Sequence, residues 1–231
     1  MKIAKRLLLG LLLLLILTCG STYFFLQSTK PQLEGQITLE GLHSEVEVYF
    51  DEYGIPHIYA DNEEDAQYAL GYVHAQDRLF QMEMIRRVSR GELAEILGPE
   101  LAKTDRFFRT IGVNTSAKEA TDIFNNRNEN DPIKKAALAY YKGINAFLKK
   151  GDTPLEFRIL GIPKRPFSVE DTYAIYGYMG FSFAQAFRTD PLLVRILDKY
   201  GTSYLNDLDV HWNPIAQTIP VAGRQKVDSL L

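Results

Sequence analysis

Residues 62–89 read as one long helix with no plainly polar side. Within it, GYVHAQDRLFQME (71–83) sets Tyr72, Val73, Leu79, Phe80 and Met82 among His74, Gln76, Asp77, Arg78 and Gln81. A helix that is apolar around most of its circumference has to be enclosed by other elements. Polar groups enclosed with it must be paired, or each costs kilocalories. Asp77 and Arg78 are neighbours in sequence and cannot face each other on a regular helix. Each therefore requires a partner elsewhere. For Arg78 the acids in reach are Glu92, Glu95 and Asp105. Gly71 and Ala75, four apart, permit close approach of another element. Taken alone, these residues favour a buried polar network over a catalytic site.

Signals on either side define the neighbours of this helix. Asp61 followed by Glu64 reads as a capping box, and Glu63, Glu64 and Asp65 suit the positive end of the helix dipole. A helix start explains that acidic cluster better than a cation site does. Arg90-Gly91 marks the other end. Upstream, QITLEGL and EVEVYFDEYG within residues 36–60 alternate with period two and read as strands. Leu42-His43-Ser44 forms the turn between them, and Pro56 leads a third short strand, HIYA. Downstream, ELAEIL is a short helix closed by Gly98. Further helices are expected at 99–109, 115–125 and 132–150, the last with Pro132 in its first turn and Gly151 beyond its end. Residues 152–167, with Pro154, Gly161, Pro163 and Pro166, read as an irregular loop. Ser168 with Asp171 caps another helix to about 187, Asp190-Pro191 starts the next, and Gly201 stops it.

Composition removes several classes of function. The chain has 231 residues and a formal net charge of -3, whereas phosphate binding needs a basic surface, so no nucleic acid partner is expected. Cys19 is the single cysteine, which excludes an intrachain disulfide and a cysteine metal site. His43, His57, His74 and His211 are scattered and lack the spacing of a helical zinc site, so a metal hydrolase is a weak reading. Residues 1–26 stand apart. Lys2, Lys5 and Arg6 precede an uncharged run from Leu7 to Leu26. This is an export signal by pattern and is also long enough to span a bilayer. Signal peptide and signal anchor both remain open, with Tyr23, Phe24 and Phe25 suited to an outer membrane interface. Thr18 makes Leu17-Thr18-Cys19 a poor lipoprotein site. The positive N-terminal flank places the rest outside the cytoplasm, in the periplasm or an equivalent space. Residues 27–34 form a polar linker.

Residues 51–98 carry a resemblance. D-E-Y-G-I-P-H-I, A-D-N-E-E-D-A, G-Y-V-H-A-Q-D-R-L-F-Q-M-E and G-E-L-A-E-I-L-G, in that order, closely resemble the N-terminal region of the penicillin acylase (penicillin amidase) family of N-terminal nucleophile hydrolases. The likeness continues more weakly through Asp105–Gly112 and the helix at 170–188, and covers roughly 45–215. It implies an α+β fold: a mostly helical alpha-chain region with short N-terminal strands. That region is part of a four-layer α/β/β/α sandwich whose sheets lie mostly in a beta chain. Residues 35–215 would be the alpha-chain region and 216–231 a tail beginning the spacer.

The family implies an exported precursor that cleaves itself into alpha and beta chains. The beta chain's first residue, usually Ser, attacks an amide, and its own α-amine serves as base. That Ser follows a Gly, in a G-S-N-x-W context. This sequence has no Ser-Asn pair, and its one Gly-Ser is Gly20-Ser21, inside the signal. Gly201-Thr202 reads as a helix stop. The chain is therefore expected to end within or before the spacer, to hold no catalytic residue and to be inactive alone. The beta chain and a small N-acyl amide are its expected partners, with the membrane through the N-terminal segment. In YGYMGFSFAQAFR (176–188), Met179 and Phe183 fall at the family's acyl-pocket positions, while Ser182 departs from the Arg of its best-known members. No cofactor is required, but the resemblance allows a structural calcium in the complete enzyme, with Asp190 as the nearest ligand and Asp171 second. One carboxylate cannot hold calcium, which takes six to eight oxygens. The rival reading is a non-catalytic, membrane-anchored helical interaction module or a gene remnant. Without the beta-chain sheet, residues 27–231 are expected to be poorly soluble.

Overall fold

The computed structural model describes residues 2–184 and 186–207. The tail at 216–231 and His211 lie outside the described residues. The chain divides into two units, Met1–Phe181 and Ser182–Leu231. The described part is mostly helical with one small sheet.

Helix α1 (Lys2–Gln27) contains a 23-residue stretch, Lys5–Gln27, long and apolar enough to cross a membrane and with none of it buried. The alternation at 36–42 does not produce a strand. Its carbonyls are taken by side chains instead. Lys150 Nζ donates to Thr38 O at 2.9 Å, and Tyr68 OH donates to Glu40 O at 2.9 Å. With Gly41 at φ 99°, the backbone turns away from any partner strand. The strands that form are β1 (Glu47–Phe50) and β2 (Pro56–Tyr59), antiparallel, with Glu47 opposite Tyr59 and Phe50 opposite Pro56. Asp51 shapes the hairpin turn, its Oδ1 accepting from Tyr53 N and Ile55 N.

Helix α2 (Glu63–Arg90) starts one residue later than the Asp61–Glu64 spacing suggests. Asn62 is its cap: Asn62 Oδ1 accepts from Asp65 N at 2.9 Å, and Asn62 Nδ2 donates back to Asp65 Oδ2 at 2.7 Å. Asn62→Ala should therefore cost about 1 kcal/mol in urea unfolding, and Asp61→Ala less than about 0.5 kcal/mol. Asp65 is buried and also accepts from His43 N and Ser44 N, both at 2.9 Å. Burial opposes its charge, but the donors of His43, Asn62 and Ser44 outweigh burial and hold the carboxyl below its ordinary 3.8. The stabilisation is full above 3.8 and is lost as pH falls through the lowered folded value. The stability gap between wild type and Asp65→Asn should be constant near neutrality and close in acid, measured as Tm against pH.

Gly91, at φ 68°, ends α2 in the left-handed conformation, with Glu92 N closing on Arg87 O at 2.8 Å. There follow α3 (Ala94–Leu97), a 3₁₀ turn at Pro99–Leu101, α4 (Ala102–Thr110), α5 (Val113–Asn125) and α6 (Pro132–Lys150). Asp131 caps α6 through Ile133 N. The expected loop at 152–167 contains a short helix, α7 (Leu155–Leu160), bounded by Pro154 and by Gly161 at φ 64°. It forms because Phe157 is drawn into the core, where it is 2% exposed. α8 (Val169–Phe183) ends earlier than expected. Pro191 lies inside α9 (Ala186–Tyr200), so Asp190-Pro191 is not a helix start. α10 (Thr202–Asp207) follows Gly201.

The core of the first unit is the crossing of α2 and α6. Tyr72, Ala75, Leu79 and Met82 pack on Ile144 and Phe147, with Phe157, Ile162 and Phe167 closing one side. Gly71 faces the Tyr140 carbonyl and Gly143 the Tyr68 carbonyl, with no room for a methyl group at either place. The close approach expected of Gly71 and Ala75 is realised here.

Candidate functional site

α2 carries two polar systems, one buried and one exposed. The buried one begins at Glu83, the last residue of GYVHAQDRLFQME. Glu83, Arg86 and Arg87 are 1%, 3% and 2% exposed. Arg86 Nη2 and Arg87 Nε both donate to the Glu83 carboxylate, the second at 2.6 Å. Arg87 Nη1 continues to Glu95 at 2.9 Å, and Arg165 Nη2 to Glu92 at 2.8 Å. Burial opposes the charge of Glu92, yet Arg165 and Arg90 outweigh it and hold the carboxyl below its ordinary value. Arg90 Nη1 reaches Glu170 at 3.1 Å and Asp171 at 3.4 Å, at the start of α8. This network joins α2 to α3 and α8. Its sequence signal was the spacing of Glu83, Arg86 and Arg87, which puts three charges on one helix face.

Arg78 does not join the network. The backbone departs from helical values there, at φ -127° and ψ 15°. The break lets Arg78 Nε meet Asp77 Oδ2 at 2.6 Å, the pairing a regular helix forbids. Both side chains are more than half exposed. The acids expected as partners serve elsewhere: Glu92 and Glu95 in the network, and Asp105 as acceptor for Leu93 N and Ala94 N.

The exposed system is a stripe along α2: Leu70, His74, Asp77, Arg78, Gln81 and Ile85. Beside it, Tyr140 OH lies 2.5 Å from His74 Nδ1. Burial pushes the Tyr140 hydroxyl up to about 12, aided by Tyr141 and Tyr176, and loss of water pushes His74 below its ordinary value. Near neutral pH the two rings are thus uncharged. Tyr176, 62% exposed on α8, continues the surface, and Met179 follows at 40%. The stripe therefore mixes apolar and charged groups at the surface of a helix that is buried on its other side.

The residues expected to contact substrate or metal are placed as follows. Met179 and Phe183 sit four apart on α8, both exposed, Phe183 at 76%. Asp190 is exposed on α9. Asp171 is buried and committed to Ser168, Arg86 and Arg90. Among the described residues, no three His, Cys, Asp or Glu side chains gather where a metal ion could be held.

A family model described as penicillin amidase matches residues 45–220. The chain belongs to the penicillin amidase family. It is 39% identical over 156 residues to penicillin acylase 2 proenzyme of Pseudomonas sp. (strain SE83), covering 67% of this chain and 20% of that protein. It is 33% identical over 226 residues to penicillin G acylase of Escherichia coli, covering 88% and 25%. Acyl-homoserine lactone acylase QuiP of Pseudomonas aeruginosa is 29% identical over 177 residues, covering 76% and 20%. The matches thus span a fifth to a quarter of these relatives' length. Among solved structures, a chain of the thermostable penicillin G acylase from Alcaligenes faecalis superposes with TM-score 0.56 at 25% identity, covering 78% of this chain and 98% of that one. The helical architecture with its small hairpin is thus that of a penicillin acylase chain.

Proposed function

We propose that this penicillin amidase family member is the alpha-chain region of an exported amidohydrolase that cleaves the linear amide of an N-acyl compound. The observation that carries the reading is the match to almost the whole of one solved penicillin G acylase chain, with a mixed polar and apolar face left open along α2 and α8. That face is where a beta chain would seat. The beta chain would supply the nucleophile, its α-amine base and the oxyanion donors, together with the sheets of the four-layer sandwich. Met179 and Phe183 would supply one wall against the acyl group. Penicillins and acyl-homoserine lactones, named among the relatives, share the required N-acyl amide. Helix α1 would direct export and tether the chain on the periplasmic side.

Asp190 would serve as one calcium ligand in the complete enzyme. The described donors do not form a closed site by themselves, and the chemistry proposed runs without the ion. The test is expression of the chain alone and together with a beta chain of the same family. Hydrolysis of a chromogenic acyl-anilide should appear only for the pair. Turnover by the pure chain, or none by the pair, would sink the reading.

A further inference from the structure

The start of α8 is held more elaborately than capping requires. Asp171 Oδ2 accepts from Ser168 N at 2.9 Å and Ser168 Oγ at 2.8 Å, and Asp171 N donates back to Ser168 Oγ at 3.2 Å. That reciprocal pair satisfies the helix end. The same buried carboxylate also faces two arginines of α2, Arg90 Nη1 at 3.4 Å and Arg86 Nη1 at 3.6 Å. The approach to the helix is fixed too. Arg86 Nη1 donates to Pro166 O at 3.0 Å, and the Arg86 guanidinium lies 4.8 Å from the Phe167 ring centroid. Asn145 of α6 donates to Phe167 O at 2.9 Å and accepts from Phe167 N at 2.8 Å.

Farther along α8, apolar contacts add to this clamp. Ala174 packs against Val113 and Ala117, and Tyr178 against Phe108 at 5.4 Å between ring centroids. Such apolar contacts hold elements together but are non-directional. Directional, charge-assisted bonds fix rotation and register. Met179 lies eight residues past Asp171, about 12 Å along the axis, so a tilt of about 5° at the clamp displaces it by about 1 Å.

We propose that Asp171, gripped by Arg86 and Arg90, is a positioning residue that sets where α8 presents Met179, and through it which acyl sizes the complete enzyme prefers. This rests on the reading of Met179 as part of the acyl wall. The clamp is remote from the acyl group and touches neither substrate nor reacting atoms. Its influence passes along the helix.

The test needs no activity in its first arm. Met82, Met84 and Met179 lie in α2 and α8, so methyl-13C-methionine labelling of the chain reports each separately. Arg90→Gln leaves the Ser168–Asp171 cap intact and should move the Met179 methyl resonance while Met82 and Met84 hold. Arg90→Lys keeps a charge facing Asp171 and should restore most of the shift. In the second arm, the complete enzyme carrying Arg90→Gln should change its kcat/KM ratio between a short aromatic and a longer aliphatic acyl-anilide by about tenfold, through KM more than kcat. An unmoved Met179 overturns the proposal. So does a common shift of all three methionines, which would mark general loosening, or an unchanged acyl ratio. If the wild-type pair hydrolyses nothing, the enzymatic reading fails, while the methyl arm still supports or overturns the positioning of α8.

Discussion

Glu83→Gln is expected to destabilise the chain by about 3–5 kcal/mol, because it removes one partner from a buried charge group and leaves the others unmatched. Glu83 is the shared acceptor of Arg86 and Arg87, and all three are almost wholly enclosed. Gln has a single acceptor oxygen and no charge to balance two guanidinium groups. The loss is read from urea unfolding of the detergent-solubilised full chain. Glu92→Gln offers the contrast. Its side chain is 18% exposed and its partner Arg165 37%. Water can replace part of that pairing, so about 1 kcal/mol is expected. Equal effects at the two positions would mean that burial of the Glu83 group is not what sets its cost.

Gly143→Ala is expected to cost about 3 kcal/mol or more, by forcing α2 and α6 apart. An added methyl would overlap the Tyr68 carbonyl oxygen and lie 2.9 Å from Tyr72 N. These are backbone atoms of α2 and cannot swing aside. The sign is informative, since alanine in an ordinary helix interior gains up to about 1 kcal/mol over glycine. Gly180 provides that comparison: an added Cβ there meets nothing within 4 Å. Gly180→Ala should be neutral or stabilising by up to about 1 kcal/mol in the same assay.

The helical framework was legible because its signals are local. Asp131 before Pro132, Gly91 in the left-handed region and the Ser168–Asp171 pair act within a few residues. Strand 36–42 failed because alternation needs a paired strand, and here long-range donors from Tyr68 and Lys150 capture the carbonyls. The start of α2 slipped by one residue because Asp61 and Asn62 are both good caps, and burial of Asp65 decided between them. Arg78 departs from expectation for a related reason. The expected network assumed an unbroken helix, and a single departure in backbone angles gave Arg78 its neighbour as partner. The buried network itself was foreseen in kind and missed in place, because it assembles from acids and arginines as far apart as Glu83 and Arg165. The family motifs in residues 51–98 reached further than the physical signals. The acyl-pocket expectation for Met179 and Phe183 comes from the separate likeness at 176–188, since no local pattern distinguishes these two residues from ordinary packing.

If a beta chain seats on the exposed face of α2 and α8, hydroxyl-radical footprinting of the chain with and without that beta chain detects it most directly. His74, Tyr176 and Met179 carry readily oxidised side chains on that face. All three should be modified in the chain alone and become protected in the complex, while buried Met82 is slow in both. Protection elsewhere, with His74, Tyr176 and Met179 still reactive, would contradict that seating.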